Sequence, residues 1–570
     1  MFIIRKYFSY TWNRLSARGR KLVSIYSFGL FLAVFIDAAG LWMIAKSSIL
    51  WINENNEPID GDVGRFAILG LSLFVIRSAI IGLSSFVSFR LLVIDEVDLS
   101  LQNYDSIQDM SYEEAREIPF SAFFDTTQQS PQVAIHTVVI NSISVIVSFL
   151  NILLIFILIW TFDPIVSMGT FLYFAVLGLI QQNMLSKASG RIGANRQISF
   201  ENYQNNLLLA FRLSKVFRIM ESKTFRHKLK TSRSATSKAL VDTKLIQLVP
   251  RLTLEIGLAL GVLLLYGMNQ LVGEAKSDEL GIILFLLAGF RIIPILSYIQ
   301  AQISTILTEI PYLIYEDKVL RTGQKVSSAT IEPAIEEIVF DNQDLIRLNN
   351  VSYVYSGSNV NAIDSVSLGF KRGKIYAISG MPGSGKSTLL DICLGLLKPS
   401  NGSVTRIKSN LVIGYVPQNT NLFDASVSLN IALEWNDSAI DSDVLLRTLE
   451  RASRISAIDE FIKSDVNATD LSGGQQQLIC LLRALYRDPD VLFLDEATSA
   501  LDSKTDGQIN ELLQIEKANR AIVVIAHRMS TIRNADEVIY MEFGAVKAIG
   551  DFDNIRNRVK QFELLFQEDK

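Results

Sequence analysis

Cysteine is almost missing from this chain, and charge is thin. Only Cys393 and Cys480 occur in 570 residues, which excludes a disulfide framework or a zinc cage. Charged residues make up 20% of the chain, against about 25% in a soluble average, so a wholly soluble protein is unlikely to be built from it. The net charge of −4 offers no global attraction for a polyanion, which argues against nucleic-acid binding. Three histidines are present; His136 and His227 show no partner in the sequence and are assigned no role. No signal peptide is expected, because the basic N-terminal region is too long and no short apolar stretch with a small-residue cleavage site follows it.

What is abundant is apolar surface. Hydrophobic residues reach 49% and the mean hydropathy is +0.29, too high for a solvated coil. The excess is confined to the first part of the chain, in the runs Leu22 to Leu50, Phe66 to Ile94, Thr137 to Trp160, Ile165 to Leu185, Leu248 to Leu271 and Leu280 to Leu307. Each has the roughly 20 apolar residues that a membrane helix needs. Six such runs ahead of a more charged region predict six transmembrane helices. Before them, residues 1–21 interleave Phe2, Ile3, Ile4, Phe8, Trp12 and Leu15 with Arg5, Lys6, Arg14, Arg18, Arg20 and Lys21. That pattern predicts an amphipathic helix lying at the membrane surface.

Loop charge sets the orientation. Glu54, Glu57, Asp60 and Asp62 lie between the first two runs with Arg65 as the counterweight, and the N-terminal arm is basic, so the N-terminus is expected in the cytoplasm. By alternation the segments Asp95 to His136 and Ser186 to Lys244 are internal, and their composition predicts helices continuing well beyond the membrane. Between Arg321 and Asp344 the sequence turns polar and loses periodicity. The expected organisation is a transmembrane domain over 1–320, a linker over 321–344 and a soluble domain over 345–570.

The soluble part carries the chemistry. The apolar run Ile375 to Ser379 leads into Gly380-Met381-Pro382-Gly383-Ser384-Gly385-Lys386-Ser387-Thr388 and then a helical pattern. This is a phosphate-binding loop between strand and helix: backbone N–H groups and the helix dipole face an anion, Lys386 reaches the outer phosphates and Ser387 offers a hydroxyl to Mg2+. Val491 to Leu494 is an apolar strand ending in Asp495-Glu496, where Asp495 suits the magnesium shell and Glu496 suits deprotonation of an attacking water. Leu471-Ser472-Gly473-Gly474-Gln475 heads a further helix. Two glycines and a serine at a helix start make a second phosphate site in a chain that already has one.

With Tyr355, Gln418, Ser499-Ala500-Leu501-Asp502 and His527 in the same order, these elements resemble the nucleotide-binding domain of an ATP-binding cassette (ABC) protein. The six preceding helices make the chain resemble a half-transporter of the exporter type. The resemblance implies an all-α six-helix transmembrane domain followed by an α/β P-loop nucleotide-binding domain with a helical subdomain, with ATP and Mg2+ as cofactors. It further implies that Tyr355 stacks on adenine, that Gln418 senses magnesium and substrate status, and that His527 contacts the γ-phosphate. Asp502 would cross a dimer interface, and Ser472, Gly473, Gly474 and Gln475 would meet the ATP held by the opposite subunit's loop of Gly380, Gly383, Ser384, Gly385, Lys386, Ser387 and Thr388. Each ATP site then needs two cassettes, so the expected partner is a second copy. This sequence departs from the family pattern in its short stretches between Gly402 and Tyr415 and from Lys463 to Asp470.

Charged residues inside membrane runs are costly and point to function. The candidates here are Asp37, Arg77, Arg251, Glu255 and Arg291. Arg251 and Glu255 stand four apart on one helix face, and Asp37 is expected to neutralise Arg77; three arginines against two acids still leave one positive charge in excess. An anionic headgroup would supply its partner. The stretches Val249-Pro250-Arg251, Gly289 to Pro294 and Val75-Ile76-Arg77 resemble those of bacterial flippases for lipid-linked oligosaccharides, in which cavity arginines engage a pyrophosphate. The expected function is ATP-driven export or flipping of an amphipathic substrate, a lipid-linked oligosaccharide or other anionic lipid, across the bacterial inner membrane. An exporter of peptides, drugs or other lipids is the competitor, and a membrane-tethered ATPase regulating a partner is the third reading.

Overall fold

The computed structural model describes all residues except 1, 54–60, 162–163, 220–222, 273–277, 328–343, 409, 457, 459–465, 497–500, 527, 560–561 and 563–570. It divides into two compact units, residues 1–110 with 114–328 and residues 111–113 with 329–570.

The first unit is helical. A short helix α1 (Phe2–Arg14) precedes α2 (Ala17–Asn53) and α3 (Gly61–Gln108). Then come α4 (Phe120–Trp160), α5 (Pro164–Arg212), α6 (Lys223–Val272) and α7 (Asp278–Ser327). Among the described residues six helices are long and apolar enough to cross a membrane, so the chain is a multi-pass membrane protein. At up to 50 residues they exceed the roughly 20 that a bilayer requires, and the polar stretches Asp95–Gln108 and Ser186–Arg212 continue the membrane helices, as their composition predicts.

The N-terminal helix is shorter than the expected 1–21. It stops at Arg14, and Ser16 starts a new helix by accepting the Gly19 N–H at 2.8 Å while donating to Asp95 at 2.5 Å. A serine hydroxyl at this position satisfies an otherwise orphaned helix-start donor. Arg18, Arg20 and Lys21 therefore belong to the first membrane helix. Charge also ties α1 to α7: Arg14 lies 2.5 Å from Glu316 and Lys6 lies 3.6 Å from Asp317.

Small residues bring long helices together where side chains would hold them apart. A Cβ on Gly193 of α5 would stand 2.5 Å from the Thr308 carbonyl oxygen of α7. Overpacking of a closed contact costs about 1–3 kcal/mol, so Gly193→Val is expected to lower the thermal midpoint of the detergent-solubilised protein; an unchanged midpoint would show that the two backbones separate freely.

The second unit has two sheets. Strands β1 (Asp344–Tyr353), β2 (Ile363–Lys371) and β4 (Asn401–Arg406) form an antiparallel sheet in the order β2-β1-β4. The larger sheet is ordered β5-β6-β7-β3-β8-β9 and uses β3 (Ile375–Gly380), β5 (Ile413–Val416), β6 (Val491–Asp495), β7 (Ala521–Ile525), β8 (Glu537–Glu542) and β9 (Ala545–Gly550). Its pairings are parallel except β8 with β9. The apolar strands β3, β6 and β7 sit at its centre, with Ala377, Phe493 and Val523 fully buried, as a parallel sheet covered on both faces demands. Helix α8 (Lys386–Leu394) follows β3 directly. Helices α9 (Val427–Ala432), α10 (Ser442–Arg451) and α11 (Gly473–Tyr486) make the helical part, and α12 (Ser503–Glu516) follows β6. Val427, Ile431, Leu478 and Leu481 share one apolar cluster. The expected α/β domain with a helical subdomain is therefore present.

Candidate functional site

The loop between β3 and α8 has a conformation that only glycine accepts easily. Gly380, Gly383 and Gly385 have φ of +155°, +80° and +95°. A Cβ on Gly380 would stand 2.2 Å from the Met541 carbonyl oxygen, and one on Gly385 would stand 2.5 Å from that of Ala362. Backbone is thereby packed tightly behind the loop while its amides stay at the C-terminal ends of parallel strands, where open α/β sheets bind ligands. The buried Ser384 hydroxyl has no hydrogen-bond partner among the described residues. An orphaned hydroxyl beside a glycine cradle and a helix start suits a phosphate oxygen.

Lys386 opens α8, with its Nζ donating to the carbonyls of Gly380 at 2.8 Å and Met381 at 3.1 Å. Burial lowers the pKa of its ammonium, an effect opposed by the nearby Glu496 and Asp495 carboxylates. The phosphate loop and the strand-end acids are thus electrostatically within reach of one another. Ser387 and Thr388 follow in the first turn of α8, and the Thr388 hydroxyl bonds the Tyr355 hydroxyl at 3.0 Å. Tyr355 stands edge-on to Tyr353 with ring centroids 5.0 Å apart.

At the end of β6, Asp495 is the last ladder residue, paired with Ile525 of β7. Glu496 follows with φ +49°, a left-handed conformation uncommon for a residue with a side chain. Its carboxylate accepts from Gln418 Nε2 at 2.7 Å. Gln418 lies just past β5, the strand beside β6, so adjacent parallel strands deliver amide and acid to the same edge. Sequence reasoning missed Tyr415 on β5. Burial first, and then the Asp495 carboxylate, push its phenol pKa up, and the hydroxyl hydrogen-bonds Asp495. The nearest signal was its place in Tyr415-Val416-Pro417-Gln418, three residues ahead of the glutamine.

The segment Ser472–Gln475 forms a reciprocal cap on α11. The Gln475 N–H donates to the Ser472 hydroxyl at 3.4 Å and the Ser472 N–H donates to Gln475 Oε1 at 3.0 Å, a capping box that fixes the helix start. Gln476 accepts from Thr420 at 3.0 Å, linking this helix to the loop that carries Gln418. Among the described residues no hydrogen bond joins Ser472, Gly473 or Gly474 to the phosphate loop. Asp502 caps α12, accepting from Lys504 N at 2.9 Å and Thr505 N at 3.0 Å; the Thr505 backbone bond is the main cause of its lowered pKa. Ser499, Ala500 and His527 lie outside the described residues.

In the first unit, Asp37 does not simply neutralise Arg77. It lies 2.5 Å from Arg291 and 3.4 Å from Arg77, because α7 brings a second guanidinium that no spacing within α2 or α3 reveals. Arg251 bonds Glu255 at 2.9 Å, the pair that the four-residue interval predicts, and does not join the Asp37 cluster. His136 also has a partner, Glu96 at 3.0 Å.

Residues 363–499 match the family model described as ABC transporter. The chain is 34% identical over 229 residues to an ATP-dependent lipid A-core flippase of Ralstonia nicotianae, a match spanning 37% of this chain and 39% of that protein. The flippase of the same description from Haemophilus influenzae is 32% identical over 237 residues, 39% of this chain and 38% of that one. A chloroplastic ABC transporter B family member 29 of Arabidopsis thaliana is 32% identical over 223 residues, 36% and 34% of the two chains. The chain thus spans about two-fifths of the length of the curated relatives it matches. Among solved structures, a bacterial Atm1-family ABC exporter with ATP bound superposes with a TM-score of 0.80 at 16% identity, over 96% of this chain and 98% of that one. This protein carries an ABC transporter domain at residues 363–499 within a chain that has the fold of an ABC exporter.

Proposed function

We propose that the protein is a half-transporter that pairs with a second copy of itself and uses ATP hydrolysis to export or flip an anionic amphipathic lipid, such as a lipid-linked oligosaccharide. The observation that carries this reading is the convergence of two arginines on one buried carboxylate within membrane-spanning helices of a chain that also holds a complete set of ATPase residues. The flippase relatives support a lipid as the substrate class. The basic N-terminal arm and the acidic stretch after the first membrane run support a cytoplasmic cassette, and the bacterial flippase relatives support a bacterial inner membrane as its setting. The domains are then 1–320, with 321–344 as the link to 345–570.

In the proposed ATPase cycle, Tyr355 holds the base, and the backbone N–H groups of Gly383, Gly385 and Lys386 with the Ser384 hydroxyl hold the phosphates. Ser387, Gln418 and Asp495 would hold a Mg2+ ion, which would supply charge neutralisation at the phosphate oxygens; the Tyr415 hydroxyl orients Asp495 by a hydrogen bond. Glu496 accepts the proton of the attacking water, with Gln418 holding its carboxylate in place. Thr388, Ser472 to Gln475, Asp502 and His527 complete the site across the pair of cassettes.

The deciding experiment is a flipping assay in proteoliposomes containing fluorescent anionic and zwitterionic lipids. ATP-dependent movement of the anionic lipids is expected. Movement of peptides or drugs with no lipid flipping would favour the general exporter, and ATP hydrolysis without any movement would favour a tethered ATPase.

A further inference from the structure

Asp37 is fully buried in α2, inside the first membrane-spanning segment. Two arginines from two other helices meet there on unequal terms. Arg291 of α7 places Nη2 2.5 Å from each Asp37 oxygen, and its guanidinium lies 5.7 Å from the ring centroid of Phe74. Arg77 of α3 approaches the same carboxylate less closely, with Nε at 3.4 Å. The two arginine side chains are similarly exposed, 30% for Arg77 and 35% for Arg291, so the closeness of the bond to Asp37 is what separates them.

Charge leaves the cluster unfinished. Two guanidinium groups face one carboxylate, so this cluster carries one positive charge in excess at a depth where unbalanced charge is costly. The planar fork of Arg77 matches two oxygens of a phosphate group. Arg291 commits Nη2 to both oxygens of Asp37 and lies over a ring, while its buried Nε has no hydrogen-bond partner among the described residues.

We propose that Asp37 is a positioning and specificity-determining residue: it anchors Arg291 and leaves Arg77 as the arm that takes a phosphate-bearing lipid headgroup. The inference rests on the anionic-lipid reading above and divides the labour among arginines that the sequence treats as equivalent. Asp37 also limits affinity. Its negative charge opposes the incoming phosphate and receives Arg77 again when the headgroup leaves, so release does not strand two unpaired cations in the membrane.

Asp37→Asn preserves shape and removes that competing charge. In nanodiscs of phosphatidylcholine carrying phosphatidic acid, it is expected to tighten phosphatidic acid binding about tenfold, the scale of one charge-assisted hydrogen bond, and to slow flipping in liposomes by about the same factor. Asp37→Glu should return both towards wild type. A merely structural role would lower thermal stability with binding unchanged or weaker, and that result overturns the proposal. Should Asp37→Asn fail to fold, Arg77→Gln serves, because the Asp37–Arg291 pair stays whole; it is expected to lose most phosphatidic acid binding, and wild-type binding overturns the proposal. Inorganic phosphate is expected not to displace the lipid at matched concentration; displacement would show a free-anion site and overturn the lipid assignment. If wild type itself does not prefer phosphatidic acid to phosphatidylcholine, the anionic-lipid function fails along with this inference. If wild type has the preference and both variants keep it unaltered, only the inference fails.

Discussion

Glu496→Gln is expected to cut ATP turnover roughly 10²- to 10⁴-fold, the range for loss of a positioned general base, while ATP still binds. The substitution is nearly isosteric. Glu496 is held by its place after β6, by its backbone N–H to the Ile525 carbonyl at 3.3 Å and by the bond from Gln418 at 2.7 Å. A glutamine oxygen can accept that same bond, so the local geometry survives. What is lost is a carboxylate able to accept a proton from water. Phosphate release from proteoliposomes measures turnover, and a fluorescent nucleotide measures binding. Hydrolysis near the wild-type rate would remove Glu496 from the role of base, whereas loss of binding would point to a collapsed strand end. Because ATP then persists, the variant should also favour nucleotide-dependent pairing of cassettes, visible as a shift in size of the isolated 345–570 segment if that segment folds alone.

Arg291→Ala should damage the protein itself as well as transport. Removing this guanidinium leaves the fully buried Asp37 with Arg77 at 3.4 Å as its remaining ion-pair partner among the described residues. Stripping one partner from a buried ion pair costs about 3–5 kcal/mol, enough to lower the thermal midpoint in detergent markedly. The double variant Asp37→Asn/Arg291→Gln removes both charges and should recover much of the loss. An Arg291→Ala midpoint equal to wild type would mean that Arg77 or water compensates the carboxylate fully. Arg77, whose loss leaves the Asp37–Arg291 pair whole, is therefore the cleaner mutational probe of headgroup binding.

Legibility in the sequence followed the range over which each feature acts. Gly380 to Thr388 was readable because strand, turn and helix start are contiguous, and positive φ at three glycines is a local requirement. Asp495-Glu496 was readable because a fully apolar strand that ends in acids has few other uses. Arg251 and Glu255 were readable because a helix places residues four apart on one face. The break after Arg14 was hidden: Ser16 and Ala17 do not interrupt the amphipathic pattern, and the new helix start depends on the Ser16 hydroxyl between Gly19 and the distant Asp95. Tyr415 looked like an ordinary strand aromatic, since its contact with Asp495 crosses from β5 to β6.

By itself, the sequence determined the division into an apolar helical part and an α/β nucleotide-binding part, together with the residue types at each ATPase position, because these depend on composition, periodicity and short-range spacing. Only the tertiary structure decided which groups meet. Parallel pairing of β5 with β6 brings Gln418 to Glu496 and Tyr415 to Asp495. Packing among α2, α3 and α7 gives Asp37 to Arg291 first and to Arg77 second. Such pairings join residues up to 254 positions apart, and in a low-dielectric interior their geometry sets their energy. The low overall charge of the chain is therefore less informative than where its few intramembrane charges are placed.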